Sequence, residues 1–510
     1  MSIEKNLWEA ANQLRANSKL KASEYASPVL GLIFLKFADF KFASLEKKFL
    51  EKSLKKRKVS KDDYLAENVM YLSDKSRFNF LLNLPESENV GQRINDSMKS
   101  IESDNPDLKN TLPKIYNKLS NQLNIELLRL IDNIPKNIEG DAFGKIYEYF
   151  LGKFAMSEGK RGGEFFTPTS VVKLIVEIIE PFEGRIFDPA CGSGGMFVQS
   201  AKFVEKHKLN PSKKISIYGQ EKEEETVKLN KMNLAVHGLA GDIRQGITYY
   251  EDLHNSINKF DYVMANPPFN VSGVNKDKIK QDKRFSLGIP TNDNANYLWM
   301  QIFYNSLKKN GRAGFVMTNS AADASGSELE IRKKLIISNN LDAIISIGPN
   351  FFYTVTLATS IWFFNKGKKN KKDSNKILFV DARDIYTEID RAHREFSEKQ
   401  IEFLSNIFRS YRNQKIENLY NSKPMFLEKF KNGKYKDVPG LCKAVTIDEI
   451  KKKNWSLNSG LYVGVKKIKS KNNNYEQDLN LYKNELENLN KESKELEQKI
   501  ILNIKNILGK

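Results

Sequence analysis

Ile186-Phe187-Asp188-Pro189-Ala190-Cys191-Gly192-Ser193-Gly194-Gly195-Met196-Phe197 is the stretch from which the fold is read. Residues 185–188 have the character of a buried strand end, residues 190–195 form a small-residue turn, and a helix is expected to open at Met196. Glycines let the backbone pass close under a ligand with no β-carbon in the way, and an acid ending the strand can hold a cationic or hydroxyl group. One such turn on its own serves packing as readily as binding. Its spacing excludes two common phosphate loops. There is no Gly-x-x-x-x-Gly-Lys-Ser/Thr, and Gly192, Gly194 and Gly195 do not fall as Gly-x-Gly-x-x-Gly.

A second stretch answers the first. Residues 260–265, Phe-Asp-Tyr-Val-Met-Ala, read as a short apolar strand that ends in Asn266-Pro267-Pro268-Phe269. Prolines fix φ and donate no backbone hydrogen bond, so the Asn266 amide, the Pro267 carbonyl and the Phe269 ring are held stiffly at the strand's C-terminal edge. That edge offers acceptors and a stacking face but no nucleophile.

Asp188-Pro189-Ala190-Cys191-Gly192-Ser193-Gly194-Gly195 followed by Asn266-Pro267-Pro268-Phe269 resembles the N6-adenine DNA methyltransferases that use S-adenosylmethionine, in the order where the cofactor motif precedes the catalytic one. A further motif of that family is matched by Gly162-Gly163-Glu164-Phe165-Phe166-Thr167-Pro168. The openings Leu7-Trp8-Glu9-Ala10 and Leu30-Gly31-Leu32-Ile33 and the later Trp455-Ser456-Leu457-Asn458 resemble the methylation subunits of type I restriction-modification systems. The resemblance implies a Rossmann-like α/β methyltransferase domain, mostly parallel with its last strand antiparallel, flanked by an N-terminal helical domain and a C-terminal helical tail. It also implies site residues. Asn266, Pro267, Pro268 and Phe269 would be catalytic; Asp188, Ala190, Ser193, Gly194 and Gly195 would hold the methionine portion of the cofactor; Glu164, Phe165, Phe166, Thr167, Pro168 and Thr169 would lie on its far side; and Glu221 would accept from its ribose.

The length of 510 residues exceeds one ordinary core and suggests two or three domains, drawn at 1–155, 156–385 and 386–510. No apolar run reaches the roughly eighteen residues of a membrane span, and Met1-Ser2-Ile3-Glu4-Lys5 lacks the apolar core of a signal peptide, so a cytoplasmic protein is expected. Two cysteines and four histidines form no metal-ligand spacing, and no metal is expected. The net charge of +19 suits a polyanionic partner, although a general bias towards Lys and Asn would produce it too.

Along the chain, residues 7–150 read as helical. Ser27 and Pro28 look like the N-cap and first residue of a helix that is apolar nearly all round from Val29 to Phe37, and is therefore buried. The lysines between Lys47 and Lys61 fit a solvated helix face or a phosphate contact. Strands are expected at 185–188, 215–220, 260–265, 311–318, 341–347 and 359–365, alternating with helices as in a parallel sheet covered on both faces. Glu221 closes the second of these. The resembled family commonly carries Gly-Asp-Thr after the next strand, its Asp contacting the cofactor's adenine; here Gly246-Ile247-Thr248 stands instead, with Asp242 or Asp252 as possible substitutes. Residues 270–296 are too long for a simple connection and are expected to be a lid or disordered, with Lys276, Lys278, Lys280, Lys283 and Arg284 as phosphate contacts if the lid closes on DNA. Phe351-Phe352-Tyr353 is either core or, by the resemblance, packs against a target base. Past residue 384 the alternation gives way to helical, charged sequence. Leu479, Leu486, Ser493, Ile500 and Ile507 recur every seven residues, as do Tyr482, Leu489 and Leu496, giving a coiled-coil helix at 475–508 that needs a partner helix.

The adenine amine is a poor nucleophile because its lone pair is delocalised, whereas a sulfonium methyl is strongly electrophilic, so the protein's task is orientation. By the resemblance the chain is the modification subunit of a type I system. It would act on double-stranded DNA with a separate specificity subunit, two copies to one of those, and with a restriction subunit in the full complex. A methyltransferase acting on RNA or a protein amide, and a non-catalytic scaffold, are the competing expectations.

Overall fold

The computed structural model describes residues 3–18, 22–51, 59–67, 69–135, 142–157, 167–352, 358–370, 374–391, 393–465 and 475–508. The chain divides into two units, residues 1–464 and 465–510.

The first unit is built on a nine-stranded sheet. Its strands are β1 (Gly184–Asp188), β2 (Ile215–Glu221), β3 (Gly241–Gln245), β4 (Phe260–Ala265), β5 (Leu307–Thr318), β6 (Leu341–Ile347), β7 (Thr359–Asn365) and β8 (Lys376–Asp381); after a small exposed hairpin, β9 (Thr387–Asp390) and β10 (His393–Glu395), comes β11 (Cys442–Thr446). The sheet order is β11-β8-β6-β7-β5-β4-β1-β2-β3. From β1 the chain steps outward in one direction through β2 and β3, then returns to β1's other side with β4 and steps the opposite way; β1, β2, β3, β4 and β5 are mutually parallel. The gap between the C-terminal ends of β1 and β4 is thus the point where the strand order reverses, and in an open α/β sheet this is where a ligand crevice forms. Strand β7 runs antiparallel to both neighbours, Phe315 and Ile344 facing Trp362 in the two ladders.

All seven residues of β7 are buried, and the central strands are apolar without alternation because helices cover both faces. One face buries the helices Thr169–Ile179, Gly195–Lys206 and Glu398–Tyr411. The other buries Asn296–Ser306 and Gly326–Ile337.

Besides the β9–β10 hairpin, three strands of the nine-stranded sheet depart from the sequence expectation. Strand β3 is an edge strand with one buried residue, Ile243, so it carries almost no hydrophobic signal. The apolar run of β8 is too short to distinguish from helix by period alone. Strand β11 lies within 386–510 yet pairs antiparallel with β8, and Leu457, Tyr462 and Val463 beyond it are buried in the same core as the catalytic-region helices. The N-terminal helices have their own apolar core, which also takes in Met232 and Val236 of the helix Glu224–Val236. Pro28 is not a first helical residue: the helix runs Ala22–Glu51 with Pro28 inside it. The lost bond falls on the carbonyl of exposed Glu24, where water can replace it, and burial of Val29 to Ala38 outweighs that cost.

In the second unit the helix Tyr475–Leu508 holds Leu479, Tyr482, Leu486, Leu489, Leu496 and Ile500 each more than half exposed. No helix among the described residues is long and apolar enough to cross a membrane.

Candidate active site

At the switch point the turn after β1 is fixed from three sides. The Cys191 amide donates to the Gln220 carbonyl at the end of β2 (3.1 Å), and Gly219 leaves room for the turn, since a Cβ there would meet Cys191 Sγ at 2.9 Å. Glu221 Oε2 accepts from the Gly192 amide (3.0 Å), while its Oε1 accepts from the Lys222 and Glu223 amides. From the helix Glu224–Val236, Asn230 donates to the Gly192 carbonyl (2.9 Å) and Asn233 to the Ser193 carbonyl (2.8 Å). Thr248 Oγ1 ties the turn after β3 to the Pro189 carbonyl (2.6 Å). Gly194, at φ +87°, allows the bend that opens the helix Gly195–Lys206, whose first amides have no partner within the helix.

Around this turn lies a cavity whose wall includes Thr167, Thr169, Asp188, Ala190, Ser193, Gly195 and Asn266. These sequence-predicted residues are brought together. Gly195 has nothing within 4 Å of where a Cβ would stand, so its missing side chain faces open space. Gly194 differs: its Cβ would meet Asn230 Oδ1 at 3.0 Å, and it is off the cavity wall. Glu221 is also behind the turn, most of its acceptor capacity spent on backbone amides. Pro168 is buried as the cap of the helix Thr169–Ile179, accepting from the Val171 and Val172 amides. Glu164, Phe165 and Phe166 lie outside the described residues.

Asp188 is 2% exposed and its Oδ1 accepts from the Ala190 amide (3.0 Å). Burial pushes its carboxyl well above the usual carboxylate range; the Ala190 bond lowers it and the neighbouring Glu221 charge raises it again. Burial also pushes Glu221 up, its three backbone hydrogen bonds acting the other way. The wall has members that the sequence did not disclose: Glu148 and Leu151 from the helix Ala142–Ser157, Gln199, and Asn233. Burial would raise Glu148, yet hydrogen bonds from His237 and Lys202 outweigh it and hold the carboxyl at about 2. A legible signal existed only for Asn233, since Asn230 and Asn233 sit one turn apart in an otherwise partly apolar helix.

At the end of β4, Asn266 Oδ1 is buried with no hydrogen-bond partner among the described residues. Pro267 is buried, Pro268 exposed, and Phe269 half-buried against the apolar cluster of the first sheet face. Asn270, at φ +54°, closes the turn: its amide donates to Asn296 Oδ1 (3.0 Å) and its own Oδ1 accepts from Asn296 Nδ2 (2.9 Å).

Residues 270–296 carry local structure and contacts to the neighbouring helix. Two short 3-10 turns, Lys276–Ile279 and Lys283–Phe285, bury Ile279 and Phe285, and Thr291 and Asn292 bond to Ser327 and Glu328. Arg284 is not a phosphate contact. It is 2% exposed, paired with Asp282, and donates to the Thr248 carbonyl (2.8 Å). Lys276 is turned onto the Thr291 and Asn292 carbonyls, Lys280 is paired with Asp277, and Lys283 remains exposed. Neither acid considered near Ile247 is available: Asp242 pairs with Arg244, and Asp252 caps the Ser256 amide. Phe351 and Phe352 are core residues, Phe351 packing on Phe396 at 4.4 Å; Tyr353 lies outside the described residues. Among the described residues no group of three or more His, Cys, Asp or Glu could hold a metal ion.

The class to which this sheet order and switch-point cavity correspond is that of the α/β methyltransferases. Residues 138–471 match the N-6 DNA Methylase family and residues 3–134 the HsdM N-terminal domain. The chain is 36% identical to the type I restriction enzyme MjaIX methylase subunit of Methanocaldococcus jannaschii, over 98% of this chain and 90% of that one. It is 33% identical to the HindI methylase subunit of Haemophilus influenzae, over 74% and 83% respectively. In fold it is similar to the type I restriction-modification methyltransferase subunit from Streptococcus thermophilus, with a TM-score of 0.71 at 21% identity, covering 91% of this chain and 99% of that one. The chain belongs to the type I restriction enzyme methylase subunits, DNA methyltransferases of the N-6 DNA methylase family.

Proposed function

We propose that this chain transfers a methyl group from S-adenosylmethionine to the N6 amine of adenine in double-stranded DNA, with Asn266, Pro267, Pro268 and Phe269 as the residues that meet the base. The observation that carries this is Asn266 Oδ1, a buried acceptor of a residue on the cavity wall, with no partner of its own among the described residues. A buried unpaired acceptor costs free energy unless a donor arrives, and an exocyclic amine is such a donor.

The cavity suits the cofactor in three respects. Gly195 leaves open space where a side chain would stand, the acid Asp188 is on the wall for a cationic group, and the start of the helix Gly195–Lys206 offers amides to a carboxylate. Thr167, Thr169, Ala190 and Ser193 would line its course, Pro168 would set the direction of the wall, and Gly194 and Glu221 would hold the turn from behind; Glu164, Phe165 and Phe166 are assigned to the far side on resemblance alone. When bound, the cofactor supplies an electrophilic sulfonium methyl. Asn266 Oδ1 and the Pro267 carbonyl accept the two amine hydrogens, which turns the nitrogen lone pair towards the methyl. Phe269 stacks on a base that has left the duplex, because the amine cannot reach the cavity from within the helix.

The type I family assigns sequence choice to another chain, and the exposed seam of the helix Tyr475–Leu508 is the surface on which we place the specificity subunit. A 2:1 ratio of this chain to that subunit, with a restriction subunit added in the full complex, completes the assembly, whose methylation protects host DNA in the cytoplasm. The site assignment is tested by Asn266→Ala and Phe269→Ala, which should abolish methylation with cofactor affinity unchanged. Phe269→Tyr and Phe269→Trp should keep measurable rate. Loss in the aromatic replacements as complete as in Phe269→Ala would reject the stacking role.

A further inference from the structure

Among the described residues, two of those lining the cavity carry a buried side-chain oxygen without a hydrogen-bond partner, Asn266 and Asn233. Asn266 stands at the end of β4 on the side given to the substrate base. Asn233 stands across the turn, on the helix Glu224–Val236, 1% exposed. Its amide orientation is fixed, because Nδ2 donates to the Ser193 carbonyl at 2.8 Å, and that leaves Oδ1 as a lone acceptor. Asp188 shares the same wall, so this part of the cavity presents acceptors and asks for a donor-rich, cationic group.

We propose that Asn233 is a further cofactor-binding residue, its Oδ1 accepting from the α-ammonium of the bound cofactor while its Nδ2 holds the Ser193 carbonyl in place. The proposal rests on the cofactor assignment above. Asn230, one turn earlier, makes the matching bond to the Gly192 carbonyl but is off the cavity wall, so it holds the turn without meeting the ligand.

The test is calorimetric, on the full chain, with S-adenosylhomocysteine and its analogue in which hydrogen replaces the α-amino group. Wild type should prefer the amine-bearing ligand by about tenfold or more, the worth of a hydrogen bond to a charged group. Asn233→Ala should lose most of that preference, binding the amine-bearing ligand about tenfold more weakly than wild type does. Asn230→Ala should weaken both ligands equally and keep the preference, since it only loosens the turn. A preference as large in Asn233→Ala as in wild type overturns the assignment, whether or not overall affinity falls. Asn233→Asp, which keeps an acceptor, should retain the preference; losing it would overturn the assignment as well. Failure of wild type to bind either ligand would instead reject the cofactor assignment itself, and circular dichroism separates an unfolded variant from a folded one that has lost the preference.

Discussion

Asn296→Ala removes the clasp that holds the catalytic turn. Asn296 is 2% exposed and gives Asn270 two hydrogen bonds, as acceptor from the backbone amide at 3.0 Å and as donor to the side-chain oxygen at 2.9 Å. Each contributes about 1 kcal/mol net, and Asn270 sits at φ +54°, a left-handed conformation that the clasp helps to maintain. Without them the turn has about 2 kcal/mol less reason to keep Asn266, Pro267 and Phe269 in place, which is a factor of about 30 in the population of the productive geometry. Single-turnover methyl transfer should therefore slow by about 10- to 100-fold while cofactor affinity, set on the other side of the cavity, stays within about twofold. Asn296→Asp, which keeps the acceptor and loses the donor, should fall between. The assay is quench-flow transfer of labelled methyl to DNA, beside calorimetry with the cofactor. A wild-type transfer rate in Asn296→Ala, or a parallel fall in cofactor affinity, refutes this account of the turn.

Further outcomes are expected. Gly195→Val should fill the open side of the cavity and abolish cofactor binding in a folded protein, whereas Gly194→Ala should mainly destabilise it through the positive φ and the contact with Asn230; a Gly195→Val chain that binds cofactor normally would remove the turn from the site. Burial raises Asp188 and Glu221 above their unfolded values, so each contributes stability that is complete below the ordinary carboxylate range and is lost as pH rises through its raised value. A cationic cofactor favours their ionised forms, so its binding should release protons and tighten with rising pH just above the ordinary carboxylate range; heats that do not depend on the buffer's ionisation enthalpy in that window would contradict it. Leu486→Asp with Leu489→Asp should weaken assembly with the specificity subunit by at least about a hundredfold and leave cofactor affinity intact, as the helix belongs to a separate unit; unchanged copurification would place the pairing surface elsewhere.

Residues whose role is local were legible in the sequence. The Asp188 turn and the Asn266 stretch declare themselves because a short apolar strand ending in glycines or prolines has few other uses, and strand β2 between them was readable as well. Residues whose role depends on the tertiary path were not. Glu148, more than thirty positions before β1, reaches the cavity from a helix of its own, and Arg284, one basic residue in a basic loop, is buried by carbonyls supplied from the turn after β3. Edge strand β3 buries a single residue, and the late strand β11 buries Cys442 and Val445 without the alternation that makes a strand readable. The clasp of Asn270 and Asn296 joins positions at the two ends of a segment that looked like an open loop, and no periodicity marks such a pair.

The central claim is tested most directly by identifying the methylated atom. The full chain, assembled with its specificity subunit, is incubated with duplex DNA and methyl-labelled S-adenosylmethionine, and the nucleosides are separated by mass. The account predicts label in N6-methyladenine at discrete duplex sites, with none when the chain carries Asn266→Ala. Label in cytosine, in RNA or in a protein amide, or label in adenine that persists undiminished in Asn266→Ala, would contradict it.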